Sequence, residues 1–359
     1  MENDKPILDI LDQARWAPSG DNEQPWRFEI AGTDHVVVHG HDTRDHCVYD
    51  LDGHASQIAH GALIETAAIA ASEHGLRLSF MRRPASPEAR PVFDLKFTPD
   101  PSLQRDPLVD VITKRSVQRK PLSTRALTAD EKRAIENALP DGYSIRWLEG
   151  AAQRRRCAML MFRSAHIRLT TPEAYEVHRH IIDWGRQFST TKVPDQALGV
   201  GKPVLTMMRF VLQDWRRVAF SNRFLAGTWM PRLQMDLWTG LRCGAHYVLL
   251  SDKPAQTIDD YVAAGAAVQR AWLAMTSVGL QMQPEATPVI FARYAREGRP
   301  FSRVAASTET ARFVATSLEE LVGGLDVARR AVFMGRIGAG PTATARSTRM
   351  SLSELQFRG

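Results

Sequence analysis

The chain has 359 residues, 44% of them apolar and 24% charged, with a formal net charge of +6. This is the make-up of a water-soluble globular protein, too long for one ordinary core and too short for three. It excludes a spanning helix, because no charge-free apolar run reaches about 18 residues. It also excludes a disulfide framework or zinc site, because Cys47, Cys157 and Cys243 have no paired spacing.

In chain order, Met1-Glu-Asn-Asp-Lys5 is polar and acidic, which is wrong for a secretory leader, so a cytoplasmic location is expected. The stretch Trp16–Phe28 sets two tryptophans among Pro, Gly, Asp and Asn, between a short helical run and a strand. Such a mixture predicts a loop packed partly against a flat partner, since a solvent turn needs no Trp. A strand follows at His35–His39; its two histidines share one face with no obvious carboxylate partner, and with His41 and His46 they are read as surface or structural. Gly61–Leu76 reads as a helix ending at a C-terminal glycine, with strands at Arg77–Phe80 and Pro91–Phe97. The Pro- and Asp-rich stretch 98–107 predicts a boundary, giving a first half of residues 1–105 and a second of 106–359.

Leu108–Ile112 then ends a helix that breaks into an extended segment before Pro121. Arg115, Ser116 and Arg119 in that segment suit a phosphate, or are a solvated charge cluster. Arg154-Arg155-Arg156 predicts a solvated helix face. His178 and His180 are two apart on a helix and point away from each other, which argues against a metal site. Roughly Gly199 to Gly244 is an insertion rich in Trp, Met and Arg, interrupted by Gly227 and Pro231. It reads as a helical hairpin completing the core, a lid over a pocket, or an amphipathic membrane-surface segment. Strand His246–Leu250, helix Gly265–Leu280 and a strand at Pro288–Arg293 follow, then a flexible arm, Gly338–Arg349, ending in Arg346-Ser-Thr-Arg349.

Gly61–Leu76 and Gly265–Leu280 align without a gap, sharing Gly61/Gly265, Ala67/Ala271, Gly75/Gly279 and Leu76/Leu280. The pairing predicts a tandem duplication, each half running strand, long helix, strand, with the two small-residue helices crossing closely. No dinucleotide Gly-x-Gly-x-x-Gly, phosphate-binding Gly-rich loop or Gly-x-Ser-x-Gly elbow is present.

Ala17-Pro-Ser-Gly-Asp-Asn-Glu-Gln-Pro-Trp26 resembles the Ala-Pro-Ser-x-x-Asn-x-Gln-Pro-Trp signature of the FMN-dependent nitroreductase superfamily. Arg115-Ser116-Val117-Gln118 is similar to that family's Arg-Ser-x-Arg, with Arg119 one place late. Gly279-Leu280 followed by Gln283-Pro284-Glu285-Ala286, and the late pair Arg346 and Arg349, also resemble family features. The likeness covers most of the chain outside the insertion. The signature loop precedes the Arg-Ser motif here, and neither occurs twice. That order looks like the duplicated single-chain branch, the Acg-like and MoeY-like proteins.

The resemblance implies an α+β fold of two pseudo-symmetric halves, each a mixed, mainly antiparallel sheet flanked by helices. It implies a monomer that mimics the family dimer, with one intact FMN site and one degenerate site, and leaves a further oligomer open; the residues themselves carry no nucleic-acid signature or metal-ligand spacing, and membrane association is not expected. Arg115, Ser116, Arg119, Arg346 and Arg349 would hold the FMN phosphate, with Gln118 at the cofactor-binding position where the family has Arg and Arg119 compensating for it. Pro18, Ser19 and Asn22 would contact the flavin from the opposite half, and Gln283, Pro284, Glu285 and Ala286 would line the ring. The implied activity is ping-pong transfer through flavin N5 from NADH or NADPH to an unidentified organic acceptor, with no catalytic side chain specified. A flavin-sequestering protein closed by the insertion, and an oxygen-dependent tailoring oxidase, are the alternatives.

Overall fold

A computed structural model describes residues 5–224 and 227–359; the reading of Met1–Asp4 and two insertion positions lie outside the described residues. Two four-stranded antiparallel sheets organise the chain. The first is built from β1 (Trp26–Ile30), β2 (His35–Gly40), β3 (Leu76–Arg82) and β4 (Val92–Pro99), in the order β1-β2-β4-β3. The second uses β5 (Tyr143–Leu148), β6 (Ala245–Ser251), β7 (Leu280–Pro284) and β8 (Ala331–Ala339), in the order β5-β6-β8-β7. The two orders are the same, strand for strand. Each sheet also sends a long helix from its second strand to its third: α2 (His54–Ser72) in the first and, in the second, the helix Ile258–Ser277.

Those two helices cross at their glycines. A methyl group on Gly61 would run into the Val262 carbonyl oxygen, and one on Gly265 into that of Ile58, so only glycine lets the backbones approach this far. Gln269 Nε2 donates to Thr66 Oγ1 across the contact at 2.8 Å, both groups buried. Both helices stop where predicted, at Gly75 (φ +65°) and Gly279 (φ +77°). The main core draws on Ile10, Trp26, Leu63 and Phe93 before the 98–107 stretch and on Tyr247, Leu273 and Met282 after it.

The halves differ in their connections. A hairpin joins β1 to β2, whereas residues 149–244 join β5 to β6. Beyond α3 (Ala129–Glu136), which precedes β5, they include α4 (Gly150–Thr170), α5 (Pro172–Ile181), α6 (Lys202–Val211) and α7 (Trp215–Phe224). The insertion is helical, as its pattern indicated.

Three expectations need correction. Pro288–Arg293 is not a strand: it lies in helix Thr287–Glu297, with Pro288 in the first turn, where its missing N–H costs nothing. Its apolar run buries Val289, Phe291 and Ala292 under the second sheet, and the strand after the long helix is β7 instead. Gly338–Arg349 is not a flexible arm. Arg346 and Ser347 pair with Phe188 and Ser189, and the tail continues to β1, where Phe28 N donates to Leu355 O and Phe357 N to Phe28 O, both at 2.8 Å. The strand histidines have carboxylate partners, His35 with Asp94 (2.8 Å) and His39 with Glu29 (2.7 Å).

Candidate functional site

The loop after α1 (Lys5–Ala14) holds three non-glycine residues with positive φ: Asp21 (+49°), Asn22 (+67°) and Gln24 (+50°). Asp and Asn tolerate this region because their short side chains bond locally; Gln does so only when held. Gln24 is fully buried and held from three sides. Its Nε2 donates to Asn22 O (3.1 Å) and Thr190 O (2.8 Å), and its Oε1 accepts from Met350 N (2.9 Å). Strain concentrated like this is characteristic of functional loops.

Against the loop lie three arginines. Arg115, 3% exposed, stacks its guanidinium 4.4 Å from the Trp272 ring centre and donates to Trp16 O. Arg346 and Arg349 lie 5.0 and 6.0 Å from the Trp16 ring centre. Arg346 donates to Thr113 O and Arg115 O; Arg349 donates to Trp16 O, Ala17 O, Thr348 O and Asn22 Oδ1. Every one of these acceptors is a neutral oxygen. Nε of Arg115 and of Arg346 is buried with no partner. Burial, then Arg349 and Arg346, pull the Arg115 guanidinium well below its ordinary value; burial and Arg346 bring Arg349 to about 9. Two buried guanidinium groups, Arg115 and Arg349, and a half-buried third, Arg346, with no counter-ion among the described residues, form an anion cradle.

The cradle opens into a cavity of about 720 Å³, within the usual range of small-molecule sites. The apolar faces of α2, through Ile58, Ala59 and Ala62, and of the partner helix, through Val268 and Trp272, form its floor, and α6 contributes Met207, Met208 and Val211.

A second polar group also lines this cavity. Arg119 donates to Ala197 O, and Arg168 pairs with buried Asp236 at 3.2 Å. The Asp21 carboxyl makes no hydrogen bond among the described residues. Burial, then Glu23, raise it to about 6 against the pull of Arg119 and Arg168. Tyr49 Oη and His178 Nε2 are 3.2 Å apart, and burial lowers His178 to about 3, so the imidazole is neutral at pH 7. Beside β7 lies a buried ion triad. His246 Nδ1 meets Glu285 at 2.6 Å, its Nε2 meets Gly240 O at 2.8 Å, and Arg336 reaches Glu285 at 3.3 Å. Burial pulls the imidazole down, but the Glu285 charge outweighs it and holds His246 well above its ordinary value. With an acceptor on each nitrogen, an imidazolium satisfies both.

The predicted residues sort accordingly. Arg115, Arg346 and Arg349 come together; Pro18, Ser19, Asn22, Ser116, Gln283, Pro284 and Ala286 line the same cavity. Asn22 is committed to Thr190 O and Arg349. Arg119 stands apart from the cradle: its charged neighbours are Asp21, Arg336 and Arg168. Gln118 does not line the cavity, its amide being taken by Pro341 O and Lys120 N. Glu285 lines only a neighbouring void of about 90 Å³. Sequence reasoning missed Trp16 and Trp272 as stacking partners, and Asp21, Arg168, Tyr49 and His178. Asp21 carried a signal, as an acid inside the loop motif; Arg168 and Tyr49 carried none. Among the described residues, no group of three or more His, Cys, Asp or Glu is placed to hold a metal ion, and no helix is long and apolar enough to cross a membrane.

No protein-family model matches the chain. No curated protein matches it. Among solved structures it is similar to a nitroreductase-like family protein from Bacillus cereus, at 13% identity and a TM-score of 0.36, over 70% of this chain and 96% of that one. It is similar to a nitroreductase with bound FMN from Bacteroides fragilis (10%, 0.36, 66% and 89%). It is also similar to an FMN-dependent nitroreductase from Mycobacterium smegmatis in complex with NADPH (19%, 0.36, 70% and 98%). No residue role or reaction follows from similarity at this level.

Proposed function

We propose that the protein is an FMN-dependent oxidoreductase whose one chain, formed of two related halves meeting near residue 105, supplies a complete flavin site. The observation that supports this most is the cradle of Arg115, Arg346 and Arg349 at the wall of an apolar cavity. Its charge suits a phosphate dianion, and the partnerless Nε donors of Arg115 and Arg346 are the donors such a group would use. The flat, apolar faces of the crossed helices suit an aromatic ring system. The strand order common to both sheets supports a duplication.

When bound, FMN would supply hydride and electron transfer, with NADH or NADPH as the donor and an apolar organic molecule as the acceptor. The chain's own part is to bind, orient and exclude water. Arg115, Arg346 and Arg349 hold the phosphate; the helix faces and the Pro18–Asn22 loop enclose the ring. Arg119, a cation outside the cradle but on the same cavity, would favour negative charge at the opposite end of the cofactor.

Purified protein incubated with FMN and desalted is expected to retain it and show flavin absorbance; colourless protein sinks the proposal. Adding NADH or NADPH without oxygen is expected to bleach the bound flavin. The roof that α6 forms over the cavity favours a second reading, a flavin-sequestering protein, and flavin that binds but is never bleached would favour that one.

A further inference from the structure

The hairpin of α6 and α7 covers the cavity yet leaves much of its own apolar surface in water. α6 has no fully buried residue. Leu205 and Met208 pack on Ile182, Val193 and Leu198, but Met207 and Phe210 are 45% and 59% exposed. On α7, Phe220 and Phe224 are 57% and 63% exposed, their rings 5.0 Å apart on one side of the helix. Trp229, Met230 and Trp238 follow, also about half exposed. Among the described residues, seven of sixteen exposed large hydrophobics therefore lie between residues 207 and 238. Scattered exposed apolar side chains need no explanation, but a concentration in one short element does.

Cations are interleaved with these aromatics. Lys202, Arg209, Arg216, Arg223 and Arg242 are exposed. Arg217 lies 4.2 Å from the Phe210 ring centre, Arg223 5.4 Å from Phe224, and Arg242 5.5 Å from Trp238. The stretch has two acids. Asp236 is buried against Arg168, and Asp214 accepts from Arg216 N at the start of α7. Aromatic bodies flanked by guanidinium heads are the pattern that inserts at a lipid headgroup boundary. The charge selects among occupants. Two copies of so basic a surface repel each other, whereas an anionic bilayer attracts both components at once.

We propose that the α6–α7 hairpin seats the protein on an anionic membrane surface, the amphipathic reading that the insertion's sequence left open. Met207 is both exposed and a cavity-lining residue, so the docked face runs continuously into the cavity wall. This holds whatever the cavity binds.

The test is sedimentation of the full chain with vesicles of phosphatidylcholine alone and of phosphatidylcholine mixed with phosphatidylglycerol. Binding to the mixed vesicles only is expected, together with a blue shift of tryptophan emission. Each basic residue near the surface contributes roughly fivefold to partitioning. The triple variant Arg209→Gln, Arg216→Gln, Arg223→Gln should therefore bind about a hundredfold more weakly. The variant Phe210→Ser, Phe224→Ser should lose the emission shift. All five positions are exposed, and unchanged melting curves check that the variants fold. Failure of the wild type to bind mixed vesicles at low salt, or equal binding by the variants, overturns the proposal. A concentration-dependent dimer abolished by the Phe→Ser variant would assign the face to a second copy instead, and overturn it too.

Discussion

Arg115→Met separates a binding guanidinium from a structural one. Methionine keeps an unbranched stem that can lie on the Trp272 ring and removes only the charged head. In the folded protein without an anion, that head makes one hydrogen bond, to Trp16 O, worth about 1 kcal/mol, and stacks on Trp272, worth another ~1 kcal/mol. Against this stands repulsion from Arg346 and Arg349, both within 6.0 Å of the Trp16 ring centre. Both charges act on Arg115 in the same direction as its burial, and for like charges ~10 Å apart at an effective dielectric of ~20 a pair costs ~2 kcal/mol. The balance predicts that the variant without ligand is as stable as the wild type or more so. With flavin the sign reverses. Losing one charge-assisted pair to a phosphate weakens binding by about 2–3 kcal/mol, or 30- to 150-fold in Kd. Thermal melts over an FMN titration read both quantities, since saturating ligand at ~100 Kd stabilises by about 2.7 kcal/mol. Inorganic phosphate serves as a minimal probe of the same cradle. A variant destabilised by more than ~2 kcal/mol without ligand, yet binding FMN as tightly as the wild type, would refute the cradle as a binding site.

Two further outcomes are expected. Gly265→Ala forces a methyl group into the backbone of α2 at the Ile58 carbonyl, where nothing flexible can yield. It should cost at least ~3 kcal/mol in urea unfolding or prevent folding, and a loss under 1 kcal/mol would mean the helices do not cross this closely. Asp21 has a folded-state value of about 6, above the ordinary 3.8, so its contribution to stability is full below pH ~4 and is lost as the pH rises through 6. The stability of the wild type relative to Asp21→Asn should fall by about 2 kcal/mol between pH 4 and 7; parallel curves would show that the carboxyl is solvated.

Much of this architecture was legible because it rests on local chemistry. The crossed helices declared themselves through Gly61 and Gly265, since a small residue at matching places in two apolar helices has few other uses. The two cradle segments were visible as arginines near turn residues. What escaped depends on contacts between distant segments. Pro288–Arg293 has the β-branched, apolar look of a strand, and only its burial beneath the second sheet decides for helix. Arg168 sits in an ordinary amphipathic helix, and its pairing with Asp236, 68 residues on, has no sequence signature. Arg119 looked like a member of the cradle because it follows Arg115 closely. An extended backbone advances about 3.3 Å per residue, so four residues carry a side chain ~13 Å along the cavity.

The same spacing explains why the site is assembled once. The sheets and long helices occur in two copies, and their crossing is close to symmetric at Gly61 and Gly265. The Trp16–Phe28 loop and the Arg115–Arg119 segment occur in one copy each, and both line the one cavity. The tail closes the arrangement: Arg349 donates to Ala17 O and Asn22 Oδ1, then residues 355–357 bond to the edge of β1. Three segments far apart in sequence are thereby fixed to one another by hydrogen bonds rather than by proximity along the chain. Any change that frees the tail must therefore loosen the loop and the cradle together, because Arg349 is a member of one and the clamp of the other.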